Sequence, residues 1–172
     1  ITREKINQLT VEAYENAKSK GFHDREEEPE ERIALLHSEI SEALEDFRKH
    51  KMALEIMESG KPIGFPSEIA DIAIRLFDLF GKHNQNFNLL ALNGEYGIDR
   101  GYFSNRSIPW WIYDFHHSLQ SSLDTFREER YNFYCLDVLL CKLLLFCEIY
   151  DIDLEKAIEV KMRFNSTRPY MH

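Results

Sequence analysis

The sequence predicts an all-α fold, and two observations lead there. Only 7 Gly and 5 Pro occur among 172 residues, below average usage, so little punctuates the helices. In segment after segment, apolar residues recur three and four positions apart, the period of an amphipathic helix. A hydrophobic content of 44% is ample for a core, and the length is that of one domain.

The first predicted helix spans 3–20, with Ile6, Leu9, Ala13 and Ala17 on one face. Gly21 ends it, as glycine does where a helix terminates in a left-handed residue. The acidic run 23–31 follows, and Pro29 suits the first turn of a second helix. That helix carries Ile33, Leu36, Ile40, Leu44 and Phe47 and reaches about residue 50, with an extension to 58 left open. Residues 59–66 hold Gly60, Pro62, Gly64 and Pro66 and read as a loop. A third helix opens near Pro66 and buries Ile69, Ile72, Ala73, Leu76 and Phe80. Residues 83–109 are irregular, with at most one short helix around 89–92. Pro109 opens a helix to about 130, with Ile112, Phe115, Leu119, Leu123 and Phe126 as its stripe. Residues 132–150 form a strongly apolar helix, expected to be buried on most sides. Asp153 caps a last helix from 154 to about 164, which stops before Pro169.

Composition excludes several functions. A formal net charge of −9 argues against a binder of nucleic-acid polymers, which needs a basic face. It does not exclude a nucleotide enzyme, because carboxylates can hold the metal that carries a phosphate. The most apolar run, 138–146, is short and interrupted by Lys142, so no membrane span is expected. Cys135, Cys141 and Cys147 lie on one helix too far apart to bond, and read as reduced, buried thiols of a cytoplasmic protein. Trp110, Trp111, Tyr113 and Phe115 offer a stacking surface for a base, although such a cluster at a helix start more often packs a core.

The two halves of the chain resemble each other. Residues 37–48 align without gaps on 116–127, matching His, Leu, Phe, Arg and an acidic residue at corresponding places. Residues 71–80 align on 137–146 by apolar pattern. The expected organisation is one domain with a first half at 1–83, an irregular connection at 84–108 and a second half at 109–172.

Four carboxylates carry the candidate chemistry. Glu39 and Glu42 stand three apart on the second helix, and Glu68 and Asp71 stand three apart on the third. That spacing puts each pair on nearly one face. Each pair also borders its helix's apolar stripe, flanked by Leu35 and Ala43 or by Ile69 and Ile72, where a solvating face would lie opposite the stripe. Converging carboxylates repel unless a cation joins them. A hard divalent ion, Mg²⁺ or Mn²⁺, prefers such oxygens and leaves room for water and phosphate.

His37-Ser38-Glu39-x-x-Glu42, followed by Glu68-x-x-Asp71, resembles the MazG-like nucleotide pyrophosphohydrolases of the all-α NTP pyrophosphatase superfamily. The tail, with Lys161, Asn165, Arg168 and Pro169, is similar to that family's closing helix. The resemblance implies a Mg²⁺-dependent hydrolase that cleaves a nucleoside triphosphate to the monophosphate and pyrophosphate. It implies metal binding and catalysis by Glu39, Glu42, Glu68 and Asp71, and substrate binding by the tail. Lys161 would meet a phosphate as a point charge, Arg168 as a bidentate fork, and Asn165 by hydrogen bonds to sugar or phosphate.

The sequence departs from the family pattern at Ser38, where the first Glu of EExxE belongs; no ligand role falls to it. In the second half, Ser118, Ser121 and Tyr134 stand in place of Glu39, Glu42 and Glu68, and only Asp137 survives, in place of Asp71. One half therefore keeps the carboxylates and the other keeps the tail, a pseudo-dimer with one composite site. A further homodimer is compatible with this. His37 reads as a partly buried structural residue. Two alternatives stand beside the hydrolase. One is a non-catalytic helical scaffold of the same fold. The other is a di-metal carboxylate oxidase, which wants Glu-x-x-His; neither Glu39 nor Glu68 has a His three residues on.

Overall fold

A computed structural model describes residues 1–89, 100–123 and 131–170. Among them the chain forms seven helices and one hairpin: α1 (Arg3–Ser19), α2 (Pro29–Arg48), β1 (Glu55–Ile56), β2 (Pro62–Ile63), α3 (Phe65–Lys82), α4 (Arg100–Phe103), α5 (Ile108–Gln120), α6 (Phe133–Ile149) and α7 (Leu154–Thr167). The fold is predominantly helical, as the scarcity of breakers predicts.

Local chemistry sets most boundaries. The Thr2, Ser107, Asn132 and Asp153 side chains accept backbone N–H groups at the starts of α1, α5, α6 and α7, satisfying donors that a helix leaves unpaired. Gly21, at φ 83°, follows α1, and Phe22 N–H returns to the Ala17 carbonyl at 3.1 Å. His50 does the same for α2 at φ 58°, with Lys51 N–H reaching the Asp46 carbonyl at 2.9 Å. That closure ends α2 at Arg48 and rules out its extension to 58.

An antiparallel hairpin of two-residue strands spans the open extension of the second helix and the expected loop, with Glu55 opposite Ile63 and Ile56 opposite Pro62. Gly60 turns it at φ 82°. Gly64 then delivers the chain to α3. A Cβ there would lie 2.1 Å from the Ala53 carbonyl oxygen, so only glycine fits.

α3 is the central helix. It packs on α1, α2, α6 and α7 and buries Phe65, Ile69, Ile72, Ala73, Leu76, Phe77 and Phe80 completely or nearly so. The core is continuous across both halves of the chain: Phe146 of α6 lies 5.9 Å from Phe65 of α3 and 5.6 Å from Trp111 of α5. Cys141 and Cys147 are buried and Cys135 is partly buried, none of them in a disulfide among the described residues. No described helix is long and apolar enough to cross a membrane.

α5 stops at Gln120, short of the expected 130. The Ser122 hydroxyl and N–H both bond the Leu119 carbonyl, and Leu123 then pairs with Tyr131 across an antiparallel bridge. Residues 124–130, with Phe126, lie outside the described residues, as do 90–92 of the short helix expected at 89–92. Within the irregular stretch the described residues form α4. Arg3 ties down the segment after α3 through the Phe87 and Asn88 carbonyls at 3.4 and 2.6 Å.

Candidate active site

The carboxylates meet where α2 lies against α3. One oxygen each from Glu39, Glu42 and Glu68 fall within 4.8 Å of one another. Glu39 is buried, Glu42 exposed and Glu68 half-buried. Asp71, one turn along α3 from Glu68, stands beside this triplet, and its Oδ2 lies 2.5 Å from Lys161 Nζ. Lys161 comes from α7, is itself buried, and also donates to Ser67 Oγ at 3.0 Å. Ser67 in turn donates to the Pro62 carbonyl at the hairpin's end.

Glu39 is held from α3: Arg75 reaches its Oε1 with Nε at 2.6 Å and with Nη2 at 2.5 Å. Ser38 donates its hydroxyl to Glu42 Oε1 at 3.3 Å. Ser38 therefore orients a neighbouring carboxylate.

Burial and mutual repulsion show in the proton affinities. Burial pushes Glu68 up to about 7; Lys161 opposes this, while Asp71, Glu39 and Glu42 add to it. Burial also raises Asp71 to about 6 in spite of its Lys161 partner. Half-buried acids packed this closely resist ionisation until a cation compensates them.

Glu39, Glu42, Glu68, Asp71, Lys161, Asn165 and Arg168 all line one pocket of about 330 Å³. The pocket's size is within the range of small-molecule sites. Residues outside the paired acids and the tail complete the lining. α1 supplies Ala13, Asn16 and Ala17, its C-cap and the loop after it supply Lys20 and Phe22, and the hairpin supplies Lys61. Arg75 and Asp78 also line it. The helical period carries a signal for both, since they follow Asp71 by four and seven residues and share its face.

Other candidates fall elsewhere. His37 Nδ1 lies 2.8 Å from His116 Nδ1, with ring planes 11° apart, and burial lowers the proton affinity of both. Trp111 and Phe115 belong to the core, Tyr113 is exposed, and Trp110 packs on Tyr102, Phe103 and Arg106. None of them lines the carboxylate pocket.

In the second half, Lys142 bridges Ser118 and Asp114 at 3.0 and 2.8 Å. Asp137 accepts the Leu89 N–H with both oxygens at 3.2 Å. The acid that aligns with Asp71 serves as a tether for the incoming chain.

The donor set is all oxygen and partly buried, which suits a hard divalent cation. No His lines the pocket among the described residues, whereas a di-metal oxidase uses Glu-x-x-His. No protein-family model, characterised protein or solved structure matches the chain.

Proposed function

We propose that this protein is a Mg²⁺-dependent nucleoside triphosphate pyrophosphohydrolase of the MazG-like type. One observation carries the reading. Four carboxylates from two consecutive helices share a single nucleotide-sized pocket with the Lys, Asn and Arg of a tail nearly a hundred residues further along. Surface acids placed for solvation have no reason to gather around a cavity with those partners.

Glu39, Glu42 and Glu68, with Asp71 beside them, would hold the metal, which supplies charge neutralisation for the triphosphate and activation of water. Arg75 and Lys161 keep Glu39 and Asp71 aimed inward. Arg168 and Asn165 face the same space from the tail and would bind phosphate or sugar. Water attacks the α-phosphorus, the bond to the bridging oxygen of the β-phosphate breaks, and pyrophosphate leaves. A carboxylate of the cluster would take the water's proton.

The internal duplication belongs to the same proposal. α2 packs on α5 and α3 on α6, the two helix pairs that align in sequence. His37 and His116, which occupy equivalent places in the alignment, touch each other. Self-contact of equivalent residues is what a two-fold axis produces, as at the interface of a symmetric dimer. On this reading the chain is a fused pseudo-dimer with one retained site.

A scaffold reading draws on the same ion pairs, since Arg75 and Lys161 already compensate two of the four acids. Pyrophosphate release from a panel of NTPs and dNTPs with Mg²⁺ separates the two. The wild type should release it, and Glu68→Gln should abolish release while keeping the helix, because Gln matches Glu in shape and helix propensity. Full activity in that variant would remove the metal assignment. Absence of both Mg²⁺ binding and release in the wild type would leave the scaffold.

A further inference from the structure

Asp78 is held in a way that the four-carboxylate chemistry does not use. His23 Nε2 lies 2.7 Å from Asp78 Oδ1, and Arg32 Nη1 donates to Oδ2 at 2.9 Å. Arg32 Nη2 meets His23 Nδ1 at 3.0 Å and Glu27 at 2.5 Å. A guanidinium only donates, so Nδ1 is the acceptor and Nε2 carries the proton that goes to Asp78. Both carboxylate oxygens are therefore fixed by donors from the loop after α1 and from α2. Each oxygen keeps a further lone pair.

That carboxylate lines the same pocket as the metal-side acids. It follows Asp71 by seven residues on α3, about 10 Å along the axis at 1.5 Å per residue. This is comparable to the reach from a nucleotide's first phosphate to its base. The same lining includes Phe22, next to His23, Ile74, one turn before Asp78, and Phe164, which offer apolar surface, together with Ala17 and the Asn16 amide. A flat ring with polar edges fits such a lining, as in most small-ligand pockets.

We infer that Asp78, clamped by His23 and Arg32, selects nucleobases that present an exocyclic amino group at this end of the pocket. The inference rests on the pyrophosphohydrolase reading and adds its substrate class. An ionised carboxylate accepts from an amino group such as the cytosine N4. The carbonyl that uracil presents at the same ring position would meet it lone pair to lone pair. A site built around such a bond rejects the analogue lacking the donor.

Two nucleotide pairs that differ at this group and in the proton on the neighbouring ring nitrogen test the idea: CTP against UTP, and ATP against ITP. Pyrophosphate release should favour the amino-bearing member by ten- to a hundred-fold in kcat/KM, the effect of one hydrogen bond to a charged group. Asp78→Asn, which can turn its amide N–H toward a carbonyl, should narrow or invert the ratio. His23→Gln, which loosens the clamp and keeps the carboxylate, should narrow it less and covers the case where Asp78→Asn does not fold. Equal use of both members by the wild type overturns the inference, as does a ratio unchanged in both variants while activity falls uniformly.

Calorimetric titration of CTP and of UTP with Ca²⁺ in place of Mg²⁺ reads the same preference without turnover. If nothing is hydrolysed but CTP binds tighter than UTP, the activity reading fails and base selection stands. If neither nucleotide binds nor reacts, both fail.

Discussion

Lys161 illustrates what spacing alone conveys and what it does not. Its place near Asn165 on one helix face was legible from the i, i+4 separation, and both residues do line the pocket. Its immediate partner was not legible, because a contact between α7 and α3 depends on the packing of distant segments. The ammonium is buried and committed to Asp71 and Ser67, so its first role is to compensate Asp71. Lys161→Ala should therefore cost the metal-free protein about 3 kcal/mol, as when one partner of a buried ion pair is removed. Urea unfolding in EDTA measures this. Mg²⁺ should then stabilise the variant more than the wild type, since the ion no longer competes with an ammonium for Asp71. Equal stability of variant and wild type without metal would mean that the pair contributes nothing. The paired acids themselves were visible in the sequence, since i, i+3 spacing beside an apolar stripe fixes where a helix points them. Arg75 escaped notice because a basic residue among acids on a helix reads as solvated surface until its partner is seen.

Elements were legible wherever a local rule decides them. Gly21, Pro29, Pro109 and Asp153 mark their helix ends by backbone chemistry that needs no tertiary contact. The hairpin β1–β2 and the early end of α5 were missed because each depends on pairing across the chain. Two-residue strands carry too few residues for a periodic signal, and the bridge from Leu123 to Tyr131 outweighs the apolar spacing that would continue α5. The packing of α1 on α3 gives a case where propensity and geometry predict opposite signs. Gly81 sits in the last turn of α3, and Gly→Ala in a helix ordinarily gains up to about 1 kcal/mol. Here a Cβ would meet Tyr14 Cβ at 2.6 Å and the Thr10 carbonyl at 3.0 Å, neither of which is a flexible side-chain end. Overpacking of that kind costs about 1–3 kcal/mol, so Gly81→Ala should be net destabilising by about 1–2 kcal/mol. A lower urea midpoint at unchanged slope is the expected result; a higher midpoint would show that α1 shifts aside freely.

At the scale of the whole molecule, the site and the stability of the fold are linked through protons. Glu68 and Asp71 bind protons more tightly in the folded chain, with affinities near 7 and 6, than in an unfolded one, where carboxyls titrate near pH 4. Below about pH 4 both groups are protonated in either state and contribute nothing. As pH rises, the unfolded chain ionises first and gains free energy that the folded chain does not. The metal-free protein therefore loses stability between about pH 4 and 7, and the loss levels off above the folded-state values. A divalent cation binds the ionised carboxylates, so its stabilisation should grow across the same interval. The expected measurement is a thermal midpoint in EDTA that falls from pH 5 to 7.5 relative to Glu68→Gln, which lacks the titrating group. With saturating Mg²⁺ the wild-type midpoint should hold or rise over that range, and the difference between the two curves should widen with pH. Comparison with the variant cancels the other titrating groups, so parallel curves for the two proteins in EDTA would mean that Glu68 ionises in the folded state as easily as in water. The burial and repulsion that call for a cation would then be absent, and with them the physical reason for four carboxylates to share one pocket.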